Sequence, residues 1–292
     1  MGVTVVTSAV SRHRIASGQD WLKARQPAEE LLIIGPTLNT ANEIARSLAR
    51  AKSASFGYHR MTLGQFASKL ARSVLTARNT VPLGALGVQA VANRTIQKLA
   101  EAGSLGRYSK LTDGPGFARA IANTLTELRL EQIEPDSLTH VASDLSKLLQ
   151  AYECELAAHA FADWPSILRL ATTAASDREN RHQLLGLPTL LLDVPVRTAS
   201  DAAIVRAVSS RAPEMLVTVP ANDATTLARL RTSLGIEIVD LDRRAPTQAA
   251  RDVEESGSLG RVQRHLFNDG GPSRAAQLDD QVAIFLGPRR KP

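Results

Sequence analysis

The chain has 292 residues, 43% of them hydrophobic, enough for one large core or two compact units. Aromatic residues make up only 4% and Ala, Leu and Arg abound, so helices should be plentiful. A net charge of +6 suits an anionic partner, no run of 18 apolar residues exists to span a membrane, and the single Cys154 excludes a disulfide framework, a cysteine-rich zinc site and a four-cysteine iron–sulfur cluster.

Val3 to Val6 reads as a first strand, without the basic start and long apolar stretch of a signal peptide. A loop, Thr7 to Gly18, follows, then a short helix through Trp21 and Leu22. Leu31-Leu32-Ile33-Ile34-Gly35-Pro36 is a continuous apolar run closed by Gly-Pro, as a strand buried in a parallel sheet would be. Thr40 to Ala51 has helical periodicity, Tyr58 to Met61 suits a third strand, and Thr62 to Leu75 a helix with Leu63, Phe66 and Leu70 on one face. From Pro82 to Leu185 the pattern is helix after helix: Leu86 to Ala102, Gly116 to Leu130, Asp136 to Phe161 and Trp164 to Ala175, with no strand between them. Strands return at Pro188 to Asp193, Met215 to Val219 and Ile236 to Asp240, separated by helices Ala199 to Ser210 and Ala224 to Leu234.

Strand–helix alternation at both ends predicts a parallel α/β sheet into which the helical middle is inserted. The expected divisions are residues 1–80 and 187–242 for the two parts of the α/β domain and 81–186 for the insertion. Residues 243–292 read as a polar connection, a short amphipathic helix over Ser258 to Phe267, a linker Asp269 to Pro272, and a strand Val282 to Leu286 that opens a further, incomplete domain.

Charge is uneven along the chain. Between Arg46 and Lys110 eleven basic residues face one acid, Glu101, a local charge of +10 that leaves −4 for the rest. Such a field suits a polyanion, and an Arg-rich solvated surface produces the same count.

Chemistry-bearing patterns are sparse. A short apolar strand ending in a carboxylate, Leu190-Leu191-Leu192-Asp193, is how a nucleotide-hydrolysing sheet delivers an Asp to Mg²⁺, with a Glu next to it for the attacking water; here the next residue is Val194. A phosphate loop after the first strand needs glycines for close backbone approach and a Lys. Thr7 to Gly18 holds one glycine, at its far end, and Arg12 and Arg14 are its only cations. Asp144 and Lys147 after Pro135-Asp136 imitate a Pro-Asp…Asp-x-Lys nuclease site, but they stand three apart in a helical pattern, whereas that site needs two-residue spacing on a strand. The six histidines show no zinc spacing, and no Gly-x-Ser-x-Gly elbow occurs. Cys154, beside Tyr152 and Leu156 in a helix, reads as a small buried thiol.

Several segments together resemble the N-terminal region of AddB-type subunits of bacterial helicase–nuclease complexes, which carry a superfamily-one helicase frame related to UvrD and a separate PD-(D/E)XK nuclease domain. Pro36-Thr37-Leu38-Asn39-Thr40-Ala41-Asn42-Glu43-Ile44 resembles the helicase motif that touches single-stranded DNA, with Thr37, Ala41 and Glu43 on its recurring positions. Met61 to Phe66 resembles the Thr-x-His-Ser-Phe element, with Gly64 and Gln65 replacing His and Ser. Leu190 to Asp193, Ala202 to Ala207 and Met215 to Pro220 resemble the magnesium-site strand, its helix and the next strand; Ser258 to Phe267 and Val282 to Pro288 resemble the lead into a second motor domain. Three ATP motifs depart from the family: the phosphate-loop Gly and Lys are absent, Val194 stands at the catalytic Glu position, and Val219-Pro220-Ala221-Asn222-Asp223 replaces the γ-phosphate sensor.

The resemblance implies a RecA-like sheet with helices on both faces, and a non-hydrolysing module that binds DNA and docks an AddA-type motor–nuclease subunit in double-strand-break repair and recombination. It implies no catalytic residue and no cofactor in this chain, Thr37, Asn39, Arg46, Arg60, Thr62, Lys69 and Arg72 as DNA contacts, and Arg12, Arg14 and Asp193 as a vestigial ATP site. Helix capping is the alternative role for Thr37 and Asn39. Two other functions stay open: an active ATP-dependent helicase using Mg²⁺, with Arg12 or Arg14 in a divergent phosphate loop, and a structural scaffold without DNA contact. A cytoplasmic location is expected for each.

Overall fold

Residues 2–26, 28–51, 57–112, 114 and 116–244 are described by the structure, a computed structural model. The helix expected over Ser258 to Phe267 and the strand over Val282 to Leu286 lie outside them. The chain begins β1 (Gly2–Ser8), α1 (Ser11–Lys23), β2 (Leu31–Gly35), α2 (Leu38–Ala51), β3 (Tyr58–Thr62) and α3 (Leu63–Ala77). It continues β4 (Val81–Pro82), α4 (Ala85–Glu101), a 3-10 turn at Gly106–Leu111, α5 (Phe117–Leu130), α6 (Pro135–Leu138), α7 (Ser143–Ala158), β5 (Phe161–Ala162) and α8 (Trp164–Ser176). Then come β6 (Thr189–Leu192), α9 (Ala199–Ser209), β7 (Glu214–Pro220), α10 (Ala224–Leu234), β8 (Ile238–Asp240) and α11 (Leu241–Arg244).

The fold is α/β: a parallel six-stranded sheet of order β3-β2-β6-β7-β1-β8 with helices around it, consistent with a RecA-like domain. Leu32, Ile33 and Ile34 of β2 register with Thr189, Leu190 and Leu191 of β6, and Leu190 to Leu192 with Leu216 to Thr218 of β7. Every residue of β2 and β6 is buried, which is why both read as unbroken apolar runs rather than alternating ones.

Two compact units divide the chain. The sheet unit takes residues 2–60, 189–195 and 215–244; the helical unit takes 61–188 and 196–214. The helical unit thus starts earlier than residue 81 and includes α9, because α3 packs on α8 and α8 on α9. In the sheet unit, Leu22 of α1 and Ala41, Ile44, Ala45 and Leu48 of α2 close over Val6, Leu31, Ile33, Leu190, Leu192 and Leu216. Each fully buried Leu or Ile in such a cluster contributes about 2 kcal/mol. The helical unit has its own cluster, from Val91 and Ile96 of α4 through Leu125 of α5 to Leu148, Leu149, Tyr152 and Leu156 of α7.

Four local expectations are corrected. Ser11 to Gly18 is the first half of α1, not a loop. Gly18 sits in close contact there: a Cβ would lie 3.1 Å from Ile44 Cδ1, with Leu190 and Leu192 next nearest. Asp136 to Phe161 is not one helix but α6, a break and α7, and Ser146 Oγ donates to the Pro135 carbonyl at 2.7 Å across that break. A two-strand pair, β4 with β5, lies within the stretch read as purely helical. Cys154 is exposed rather than buried, since the buried stripe of α7 runs through Leu148, Leu149, Tyr152, Glu155 and Leu156 and leaves position 154 outside.

Candidate functional site

Parallel sheets of this kind present ligand sites beyond the carboxyl ends of their strands. The site residues expected for ATP come from that edge of the sheet unit. There the ends of β1 and β7 are tied together: Thr7 Oγ1 donates to the Val219 carbonyl at 2.9 Å, and the Ala221 N–H to the Ser8 carbonyl at 3.1 Å.

Asp193 follows β6 with φ of +51°, a left-handed conformation that Asp tolerates better than most residues. Its amide is held by Thr218 of β7, through the carbonyl at 3.1 Å and Oγ1 at 3.0 Å, and Thr218 Oγ1 donates back to Oδ1 at 2.8 Å. Arg14 completes the arrangement. It lies buried on α1, one turn before Gly18, and its Nε donates to Asp193 Oδ1 at 2.9 Å and Oδ2 at 3.1 Å, while Nη1 donates to the Ser8 carbonyl at 2.6 Å. The structure thus brings Arg14 and Asp193 together and leaves Arg12 exposed on the same helix.

A second carboxylate closes the start of α1. The N-cap residue Val10 offers no side-chain acceptor. Asp242 instead binds the turn before the helix and one side chain on it: Oδ2 accepts from the Ala9 amide at 2.8 Å, and Oδ1 from Ser8 Oγ at 2.6 Å and His13 Nδ1 at 3.1 Å. Ser8 Oγ in turn accepts from the Val10 amide at 3.0 Å. Partial burial alone raises a carboxyl's pKa, but here the bonds from Ser8, Ala9 and His13 outweigh it and hold Asp242 below its ordinary value. Asp242 and Ser8 thus hold the amides of Ala9 and Val10, in the turn that leads into α1, within the chain itself. Neither Ser8, His13 nor Asp242 carried a motif, and a partnership across more than 200 residues leaves no local signal.

Arg14 and Asp193 are turned to partners within the chain, not outward to Mg²⁺ or a nucleoside triphosphate. The Asp193 carboxylate is taken by Arg14 and Thr218, the Arg14 guanidinium by Asp193 and Ser8, and the amides of Ala9 and Val10, just before α1, by Asp242 and Ser8. Among the described residues no group of three His, Cys, Asp or Glu side chains lies close enough to hold a metal ion.

The residues expected to meet DNA fall in both units. Thr37 Oγ1 accepts from the Thr40 amide at 3.1 Å at the start of α2, so it caps that helix; Asn39 is exposed on its first turn. Thr62 caps α3 in a capping box with Gln65. Arg46 is exposed and pairs with Glu43 at 2.6 Å. Arg60, Lys69 and Arg72 are exposed, with no ion pair among the described residues. Burial, with the Lys69 charge adding to it, holds the His182 imidazole below its ordinary pKa. Further along the basic segment, Arg94 and Lys98 both hold Glu155, and the hydrogen bond from Lys98 leads the causes that keep that carboxyl low. Part of the +10 is therefore spent inside the fold.

No helix among the described residues is long and apolar enough to cross a membrane. No protein-family model matches the chain, and no curated protein matches it.

Proposed function

We propose that this chain is an ATP-silent, helicase-like module that binds the DNA backbone and docks a motor–nuclease partner during the processing of DNA ends. The observation that carries the reading is the self-neutralised edge of the sheet: the cation and the carboxylate that a motor would direct at nucleotide and Mg²⁺ are directed at each other, as Arg14 and Asp193. A frame that only positions contacts needs a rigid sheet and surface charge but no turnover. Surface charge is present in the exposed Arg60, Lys69 and Arg72. Backbone contacts of this type position a nucleic acid without reading its sequence. The AddA-type partner, the place in double-strand-break repair and the cytoplasmic location rest on the resemblance of Pro36 to Ile44 and of Met61 to Phe66.

Two measurements on the purified chain test it. With single-stranded DNA present, ATP should not turn over; turnover abolished by Asp193→Ala would mean that Asp193 leaves Arg14 for a metal, and the chain would be a working motor. The logarithm of the DNA-binding constant should fall linearly with the logarithm of salt concentration. Binding that is absent, or flat against salt, reduces the chain to a scaffold.

A further inference from the structure

The helical unit holds a buried arginine of a different kind. On α5, Ile121, Ala122 and Leu125 form the inward stripe, and Arg129, one turn on, continues it with only 4% of its side chain exposed. Its carboxylate neighbour, Asp163, is fully buried and already committed. Asp163 caps α8 by accepting from the Ser166 amide at 3.0 Å and Ser166 Oγ at 2.7 Å, and it accepts from Tyr152 Oη at 3.4 Å. Burial, with the Asp163 charge beside it, pushes the Tyr152 phenol well up, so it stays a neutral donor.

Arg129 gains little from these neighbours. Nη2 donates to Ser166 Oγ at 3.0 Å. Nη1 lies 3.4 Å from Asp163 Oδ2 and Nε 3.6 Å from Glu153 Oε1, within ion-pair range but not aligned as hydrogen bonds, so both nitrogens stay without an acceptor. A buried unsatisfied donor costs about 1–3 kcal/mol. The cost is explained if an acceptor arrives from outside.

A route exists. Arg129 lines a cavity of about 690 Å³, within the size range of small-ligand sites. Arg78 and Arg169, both exposed, line it too, with Thr80, Glu153 and Phe161. Three guanidinium groups face Glu153 on the wall and Asp163 behind Arg129, an excess of one positive charge that favours an anion. Arginine is the side chain whose planar set of donors matches phosphate. The apolar part of the wall, with the Phe161 ring, gives a flat group beside that phosphate a surface to lie on. Glu153, one-third exposed, is the only opposing charge among the lining residues and has room to turn to solvent.

We propose that this pocket binds the phosphate group of a nucleotide, with Arg129 as the buried anchor and Arg78 and Arg169 as the outer contacts. The phosphate comes either from a free nucleotide or from a DNA strand; the chemistry at Arg129 is the same. The site does not depend on the DNA reading above, since a free nucleotide fills it without DNA.

The test titrates the full chain with AMP, inorganic phosphate, a short single-stranded oligonucleotide bearing a 5′-phosphate, and its 5′-hydroxyl twin. Arg78→Gln and Arg169→Gln are surface changes that leave the core intact, and each should weaken the bound probe about tenfold, the loss of one charge-assisted contact. Glu153→Gln should tighten it, an effect that a merely structural role for this cluster does not produce. Binding by AMP alone identifies a free nucleotide. Preference for the 5′-phosphorylated strand, in competition with AMP, identifies a strand end, and equal binding of both strands, each weakened by Arg169→Gln, identifies an internal phosphate. The proposal is overturned if AMP, phosphate and both strands fail to bind, or if bound probes are indifferent to Arg78→Gln and Arg169→Gln. DNA binding that survives both substitutions while AMP fails sinks the pocket and spares the DNA reading.

Discussion

Arg14 and Arg129 are both buried, both carried into an interior by a helix, and both set against an Asp that is distant in sequence. They differ in what remains over. Arg14 meets both oxygens of Asp193 and the Ser8 carbonyl, and none of its nitrogens is left buried without a partner. Arg129 shares Asp163 with a helix cap and a tyrosine, and two of its nitrogens are orphaned beside a cavity. The lesson is that a buried charge marks a ligand site only when its own fold fails to satisfy it. By that measure the helical unit, rather than the sheet edge that resembles a nucleotide site, is where this molecule is open to an anion.

The comparison breaks most visibly on the acids. Asp163→Ala removes a cap and the partner of a buried guanidinium together, and should cost about 4 kcal/mol in denaturant unfolding. A cost under about 1 kcal/mol would show that Arg129 already finds another partner. Asp193→Ala should cost less, about 3 kcal/mol, because Asp193 keeps 22% of its side chain exposed. Asp193→Asn should recover about 1 kcal/mol of that, because Asn accepts the left-handed backbone at φ +51° more readily than Ala. Equal losses for Asn and Ala would assign the whole effect to charge.

Much of the sheet was legible, and the reason is burial on both faces. Leu31 to Ile34 and Leu190 to Leu192 had to be apolar throughout, and Pro36 closed the first of them. The first half of α1 was illegible for the opposite reason. Ser11-Arg12-His13-Arg14 has no apolar stripe, because Arg14 is buried through Asp193 and Gly18 through close contact with Ile44, neither of which periodicity records. The site suffered most. Arg14 and Asp193 were each picked out as parts of an ATP site, but their pairing spans 179 residues and reverses what each can do. Asp163 did carry a signal, since an acid before Trp164-Pro165 with Ser166 three residues on is a helix start, but nothing in that pattern placed Arg129 beside it.

The Asp242 contacts sharpen the comparison on the sheet side. The folded pKa of Asp242 lies below its unfolded value, near 3.9, so its contribution is complete above that value and is lost as pH falls through the lower, folded one. Asp242→Asn should cost about 1 kcal/mol at neutral pH, a modest figure because the side chain is 30% exposed. The difference between variant and parent should vanish in acid. A difference that persists unchanged there would assign the loss to geometry rather than to the carboxylate's charge.

The smallest expected effects on stability fall on the exposed face, where they separate the DNA reading from a purely structural one. Lys69 and Arg72 stand one turn apart on the outer side of α3 and engage no acid among the described residues. Lys69→Gln and Arg72→Gln should therefore leave unfolding within about 0.5 kcal/mol of the parent. If they contact the strand, each should also lower the salt slope of single-stranded DNA binding by about 0.7, one phosphate's worth of released counterions. Thr62 is the internal control on the same element. Thr62→Ala removes the cap of α3 and should cost about 1 kcal/mol, while Thr62→Ser keeps an acceptor for the Gln65 amide and should cost much less. A Thr62→Ser chain that folds as the parent does but loses DNA affinity would place the threonine methyl at the strand. Equal affinity for Ser and Thr, with the slope still falling for Lys69→Gln, would leave Thr62 to its helix and the DNA to the charges.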